Sequence, residues 1–146
     1  MAHGATYRER LWPGPGLWIC CLVAGAALGL VVWPASAPLA PVVGVLTTLL
    51  LFGCLVLASP VVEVAEGELR AGRAHIPLDQ LGSREALDAE ATRAALGPDL
   101  DARAFVLVRG WVPSGVRLEV VDPRDPTPYW FVSTRRPDRL LAALGT

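Results

Sequence analysis

The chain has 146 residues and a formal net charge of -1, with 13 basic residues, every one an arginine, against 14 acidic ones. That balance excludes a broad cationic face for nucleic acid, since contact with a phosphate backbone needs an excess of basic side chains. Cys20, Cys21 and Cys54 all lie in apolar surroundings, which excludes a disulfide framework and a cysteine-based zinc site.

Hydrophobic content of 53% and a mean hydropathy of +0.44 average over two unlike halves. Residues 1–14 predict a short polar tail on the cytoplasmic side. Arg8 and Arg10 precede the apolar run and Trp12 stands at its edge, the arrangement the positive-inside rule associates with the cytoplasmic face. From Leu11 to Val62 there is no Asp, Glu, Lys, Arg or His. Residues 15–60 are accordingly predicted to form a transmembrane helical hairpin, with spans over 16–34 and 41–59. Each span rises about 1.5 Å per residue and so covers most of a hydrocarbon core roughly 30 Å thick. Pro13 to Gly16 should delay the first continuous helix until Leu17. Pro34, Pro38 and Pro41 predict a tight extracytoplasmic turn.

Ala35-Ser36-Ala37 imitates a signal-peptide cleavage site, but Pro38 directly after it is a poor cleavage context and a second apolar block follows at once. Gly25 and Gly29 on the first span, and Gly44 and Thr48 on the second, form small-xxx-small pairs. These suit either close packing of the two helices or self-association into a homo-oligomer. No ionisable side chain sits at membrane depth, so the hallmark of a channel or transporter is missing.

Residues 61–146 predict one small cytoplasmic β-rich domain. Val61 to Ala65 and Glu68 to Ala71 flank Glu66-Gly67 as a hairpin, and Gly72-Arg73 marks a second turn. Ala74 to Leu81 reads as a strand at an edge or bulge because of Pro77, and Ser83 to Asp88 as another. Ala89 to Leu96 is a short helix closed by Gly97-Pro98. Arg103 to Arg109 carries a run of apolar residues predicted to be a buried, central strand. Val116 to Val121 alternates as a strand with one wet face, and Tyr129 to Thr134 is the last strand. Pro137 to Leu144 is a terminal helix with Leu140, Leu141 and Leu144 on one side. The predicted fold class is therefore α+β: a two-helix transmembrane hairpin followed by a pleckstrin-homology-like split barrel of about seven strands with a C-terminal helix.

Three stretches carry a resemblance. Tyr7-Arg8-Glu9-Arg10-Leu11-Trp12, Leu96-Gly97-Pro98-Asp99-Leu100-Asp101 and the run from Asp122 to Pro137 resemble the actinobacterial membrane family catalogued as a domain of unknown function, DUF3093. The likeness extends over nearly the whole chain. It implies a two-helix anchor with a cytoplasmic domain, and it brings no established activity and no functional residues.

Among side chains that carry chemistry, Ser133, Thr134, Arg135 and Arg136 stand where the last strand meets the terminal helix. Two hydroxyls, two guanidiniums and free helix amides there form the best candidate anion site. The alternative is that the arginines pair with Asp122, Asp125 or Asp138. His75 lacks partners for catalysis or metal binding. The pairs Asp99/Asp101 and Asp122/Asp125 suit turn formation better than a divalent cation, and Trp111 and Trp130 suit a core better than a stacking platform. No catalytic, metal or cofactor site is expected. The expected function is a non-enzymatic, membrane-tethered interaction module whose partners are the bilayer and another membrane or cytoplasmic protein. The alternative is binding of an anionic lipid headgroup or small phosphorylated ligand near Arg135 and Arg136.

Overall fold

The computed structural model describes residues 6–145, as two units: residues 12–59, and residues 6–11 together with 60–145. The first unit is a pair of helices, α1 (Pro15–Val32) and α2 (Leu39–Leu57). Both are long and apolar enough to cross a membrane. Their outer surfaces carry exposed Val31 at 74%, Leu50 at 68% and Leu57 at 87%, an exterior that water does not favour.

Both helices begin two residues before the predicted starts. Pro15 occupies the first turn of α1 and Pro41 the first turn of α2, where the amide that proline lacks would have had no intrahelical partner. Proline therefore opens these helices instead of excluding them. The connection between them spans only residues 33–38, where Ser36 C=O accepts from the N–H groups of Leu39 and Ala40. The helices meet along small residues. A Cβ built on Gly25 would lie 2.0 Å from Thr48 Oγ1 and 2.7 Å from Gly44 O, and one on Gly29 would lie 2.8 Å from Ala40 O. Toward the other end of the pair, Trp18 and Phe52 meet edge to face at 4.8 Å.

The second unit begins with a correction. Residues 7–10, expected as part of a polar tail, form strand β1 (Tyr7–Arg10), which pairs antiparallel with β2 (Val61–Ala65). Residues 1–5 of that predicted tail lie outside the described residues. The pairing is long-range: Tyr7 faces Val64 and Arg10 faces Val61, and Leu11 N–H donates to Pro60 C=O at 3.0 Å. Burial explains why the strand forms. Tyr7 and Leu11 both enter the core, and Leu11 is fully enclosed.

β2 continues through a two-residue turn into β3 (Glu68–Ala71). Glu66 and Gly67 both have positive φ, at 53° and 77°, as a hairpin turn matched to strand twist requires. β4 (Ala74–Pro77) completes an antiparallel sheet in the order β1-β2-β3-β4, with Pro77 on its edge strand.

A single 3-10 turn, Leu78–Gln80, leads to β5 (Leu81–Leu87). α3 (Ala89–Leu96) follows, capped by Asp88, whose carboxylate accepts from the N–H groups of Glu90 and Ala91 at 3.0 and 2.8 Å. β6 (Phe105–Leu107), β7 (Gly115–Val120), β8 (Tyr129–Ser133) and α4 (Pro137–Leu144) complete the chain.

The second sheet has the order β5-β7-β8-β6, so eight strands are described against the seven or so expected. The stretch expected to be central is an edge: β6 has three residues, pairs only with β8, and does so in parallel. The deeply buried strand is β8, all five of whose residues are enclosed. Apolar content alone does not distinguish the two, because a short apolar edge strand satisfies the same composition. The two sheets share one core, closed by Leu140 and Leu144 of α4.

Candidate functional site

β8 delivers Ser133 and Thr134 to the point where the chain turns into α4, and both residues are fully buried. Ser133 Oγ accepts the N–H of Arg109 at 3.3 Å. Thr134 is held on every side. Its backbone N–H donates to Ser114 C=O at 3.1 Å, its C=O accepts from Ser114 Oγ at 2.7 Å, and its Oγ1 accepts the N–H of Arg136 at 3.1 Å.

The remaining capacity of the Thr134 hydroxyl is taken by a carboxylate from the start of the chain. Thr134 Oγ1 donates to Glu9 Oε2 at 2.5 Å, the Tyr7 hydroxyl donates to the same oxygen at 2.6 Å, and Arg135 N–H donates to Glu9 Oε1 at 3.2 Å. The Thr134 hydroxyl and the Arg135 amide thus hold an internal anion. Burial, followed by the hydrogen bond to Glu9, pushes the Tyr7 hydroxyl up to about 12, so it stays protonated and keeps donating.

The predicted quartet is therefore not one site. Ser133 and Thr134 point into the protein, while Arg135 and Arg136 lie on the surface. Asp122 and Asp125 receive the backbone N–H groups of Arg124 and Thr127, both at 2.9 Å. The residue that sequence reasoning missed is Glu9. Its signal was present as a lone acid between Arg8 and Arg10, but nothing local connects it to Thr134, which lies 125 residues further along.

Arg136 instead belongs to an open groove of about 460 Å³ between β1 and α4, lined also by Arg8, Arg139, Tyr7, Ala142 and Ala143. A second polar cleft, of about 390 Å³, holds Glu85, Arg117 and Glu119. There Ser83 donates its hydroxyl to Glu119 at 2.8 Å, which holds that carboxyl below its ordinary range, and the Arg117 guanidinium lies 4.1 Å over the Tyr129 ring.

Other expected candidates find ordinary partners. Asp101 accepts from Arg103 through an ion pair at 3.2 Å and a backbone N–H at 2.9 Å, which hold its carboxyl below the ordinary carboxylate range. Asp99 donates its N–H to Ala94 C=O. His75 is exposed on β4 opposite Arg70, and among the described residues no group of three or more metal-binding side chains gathers. Trp111 donates its ring N–H to Leu11 C=O at 3.0 Å, and Trp130 stacks against Phe105 at 4.2 Å. Gly25, Gly29, Gly44 and Thr48 are brought together inside the α1/α2 contact.

The model of a family described as "Protein of unknown function (DUF3093)" matches residues 6–144. No curated protein and no solved structure matches the chain.

Proposed function

The chain belongs to the DUF3093 family, and from that premise we propose that it is a non-enzymatic, membrane-tethered interaction module. In this reading α1 and α2 cross the bilayer as a hairpin, both chain ends lie in the cytoplasm, and the two-sheet unit is presented there to another membrane or cytoplasmic protein.

The observation that carries the reading is the pairing of β1 with β2. The chain leaves the sheet at Leu11 and returns at Pro60, and those two residues are hydrogen-bonded neighbours. Only an even number of crossings brings the chain back to the sheet it left. Arg8 and Arg10 on β1, with no charged residue in the turn at 33–38, support a cytoplasmic sheet unit.

We also read the sheet unit as a pleckstrin-homology-like split barrel. Two four-stranded sheets around one core, with an amphipathic helix filling it, support that reading. The parallel β6/β8 pair departs from the antiparallel meander of such barrels. The edge strands β4 and β6 offer unpaired backbone groups as natural contact surfaces.

The test is labelling with a membrane-impermeant maleimide after Cys20, Cys21 and Cys54 are replaced by Ala. A cysteine at Ser36 should react in intact cells, and one at Glu66 only after lysis. Labelling of Glu66→Cys in intact cells would refute the topology. Cross-linking in native membranes should recover a partner that depends on residues 61–146.

A further inference from the structure

Three arginines converge on the groove between β1 and α4, and the two at the start of α4 stand where local stability disfavours them. Arg136 is the N-cap residue of α4 and Arg139 lies in its first turn, at the end of a helix that carries a partial positive charge. They are also three residues apart, close enough on the helix surface to repel. Arg8 of β1 brings a third positive charge to the same groove.

The opposite end of α4 shows the favourable arrangement: Arg84 donates to the carbonyls of Leu144 and Gly145. Glu63 faces Arg8 across the β1/β2 pair and offsets part of its charge. Glu9 is committed to Thr134, Tyr7 and the Arg135 amide, and among the described residues none of the three guanidiniums belongs to an ion pair. Asp138 lies on α4 between Arg136 and Arg139 but is not part of the groove lining.

We propose that this groove binds a phosphate-bearing anion, with the guanidiniums of Arg8, Arg136 and Arg139 on the phosphate and Ala142 and Ala143 against the adjoining apolar part. Guanidinium suits this ligand because its planar donors match phosphate oxygens two at a time. Two sources share the chemistry: an anionic lipid headgroup, or a free phosphate compound. Arg8 is four residues from Trp12, so an extended chain keeps it within about 14 Å of the start of the apolar segment, which puts a headgroup within reach. The lipid source rests on the proposed membrane insertion; the phosphate site itself does not.

The experiment is thermal unfolding of the full chain in neutral detergent. Its arms are micelles doped with phosphatidylglycerol, micelles doped with the same fraction of phosphatidylcholine, and 10-fold increments of inorganic phosphate. Phosphatidylglycerol should raise the midpoint by on the order of 5 °C over phosphatidylcholine once the site is mostly filled. Arg136→Gln with Arg139→Gln should abolish that rise, whereas Arg93→Gln on α3 should keep it.

Without any anion, the double variant should unfold at or above the wild-type midpoint, because a repulsion has been removed. A rise with inorganic phosphate alone assigns a free phosphate compound as the source, and a rise only with the lipid assigns the headgroup. No rise in any arm, a rise retained by the double variant, or a lower midpoint for that variant without anion would overturn the proposal. Because the protein is in detergent, this outcome is independent of the labelling test of topology.

Discussion

Glu9 shows how one carboxylate can substitute for a ligand. It accepts three hydrogen bonds, from Thr134 Oγ1, the Tyr7 hydroxyl and the Arg135 amide, and so ties β1 to the turn before α4. Glu9→Ala would strip those donors of their acceptor, one of them on a fully buried residue. It should lower unfolding stability by about 1–3 kcal/mol, measurable by denaturant titration. Tyr7 adds a pH dependence. Burial raises its hydroxyl from 10.0 to about 12, so the folded chain holds the proton more tightly than the unfolded chain. The resulting stabilisation is fully present below pH 10 and is lost as pH rises toward 12. The stability gap between wild type and Tyr7→Phe should therefore narrow across that window, and a gap that widens would contradict the assignment. In sequence, the hydroxyls of Ser133 and Thr134 were visible but their occupant was not, because hydrogen-bond partners brought together by folding leave no local pattern.

At the scale of elements, the helical pair is decided by its small residues. Gly25→Val would drive a side chain into Thr48 and the Gly44 carbonyl, and both the contact distances and the backbone target mean that the helices must separate. The variant should unfold at a lower temperature in detergent. Gly53→Ala, with nothing within 4 Å of the new atom, should be neutral or slightly stabilising. The capped helix α3 offers a smaller test: Asp88→Ala removes the acceptor of two amides and should cost about 1 kcal/mol. These elements were legible beforehand. The helix from Ala89 to Leu96 and the one from Pro137 to Leu144 have the predicted bounds, since caps, prolines and glycines mark helix ends locally. β6 was legible as a strand and illegible as an edge, because neighbours in a sheet are chosen by distant segments.

For the molecule as a whole, β1 makes the sheet unit discontinuous in sequence. Residues 61–146 taken alone would leave the outer edge of β2 unpaired and remove Tyr7 and Leu11 from the core. That fragment should aggregate. Replacing residues 12–59 by an Asn-Gly turn joins Leu11 to Pro60 as an ordinary hairpin, and should give a protein that stays in solution without detergent. Size-exclusion chromatography of the two forms decides the matter: equal behaviour would mean that β1 adds nothing to the fold.

By itself the sequence determined the two apolar helices, the hairpin turns and the amphipathic terminal helix, because each is written in contiguous residues through hydropathy, proline and glycine. The tertiary structure alone decided that β1 completes the first sheet, that Glu9 fills the turn before α4, and that Arg8 joins Arg136 and Arg139. Those three outcomes depend on bringing the start of the chain to segments more than 50 residues away, and no local pattern encodes which distant partner gains most from burial and hydrogen bonding.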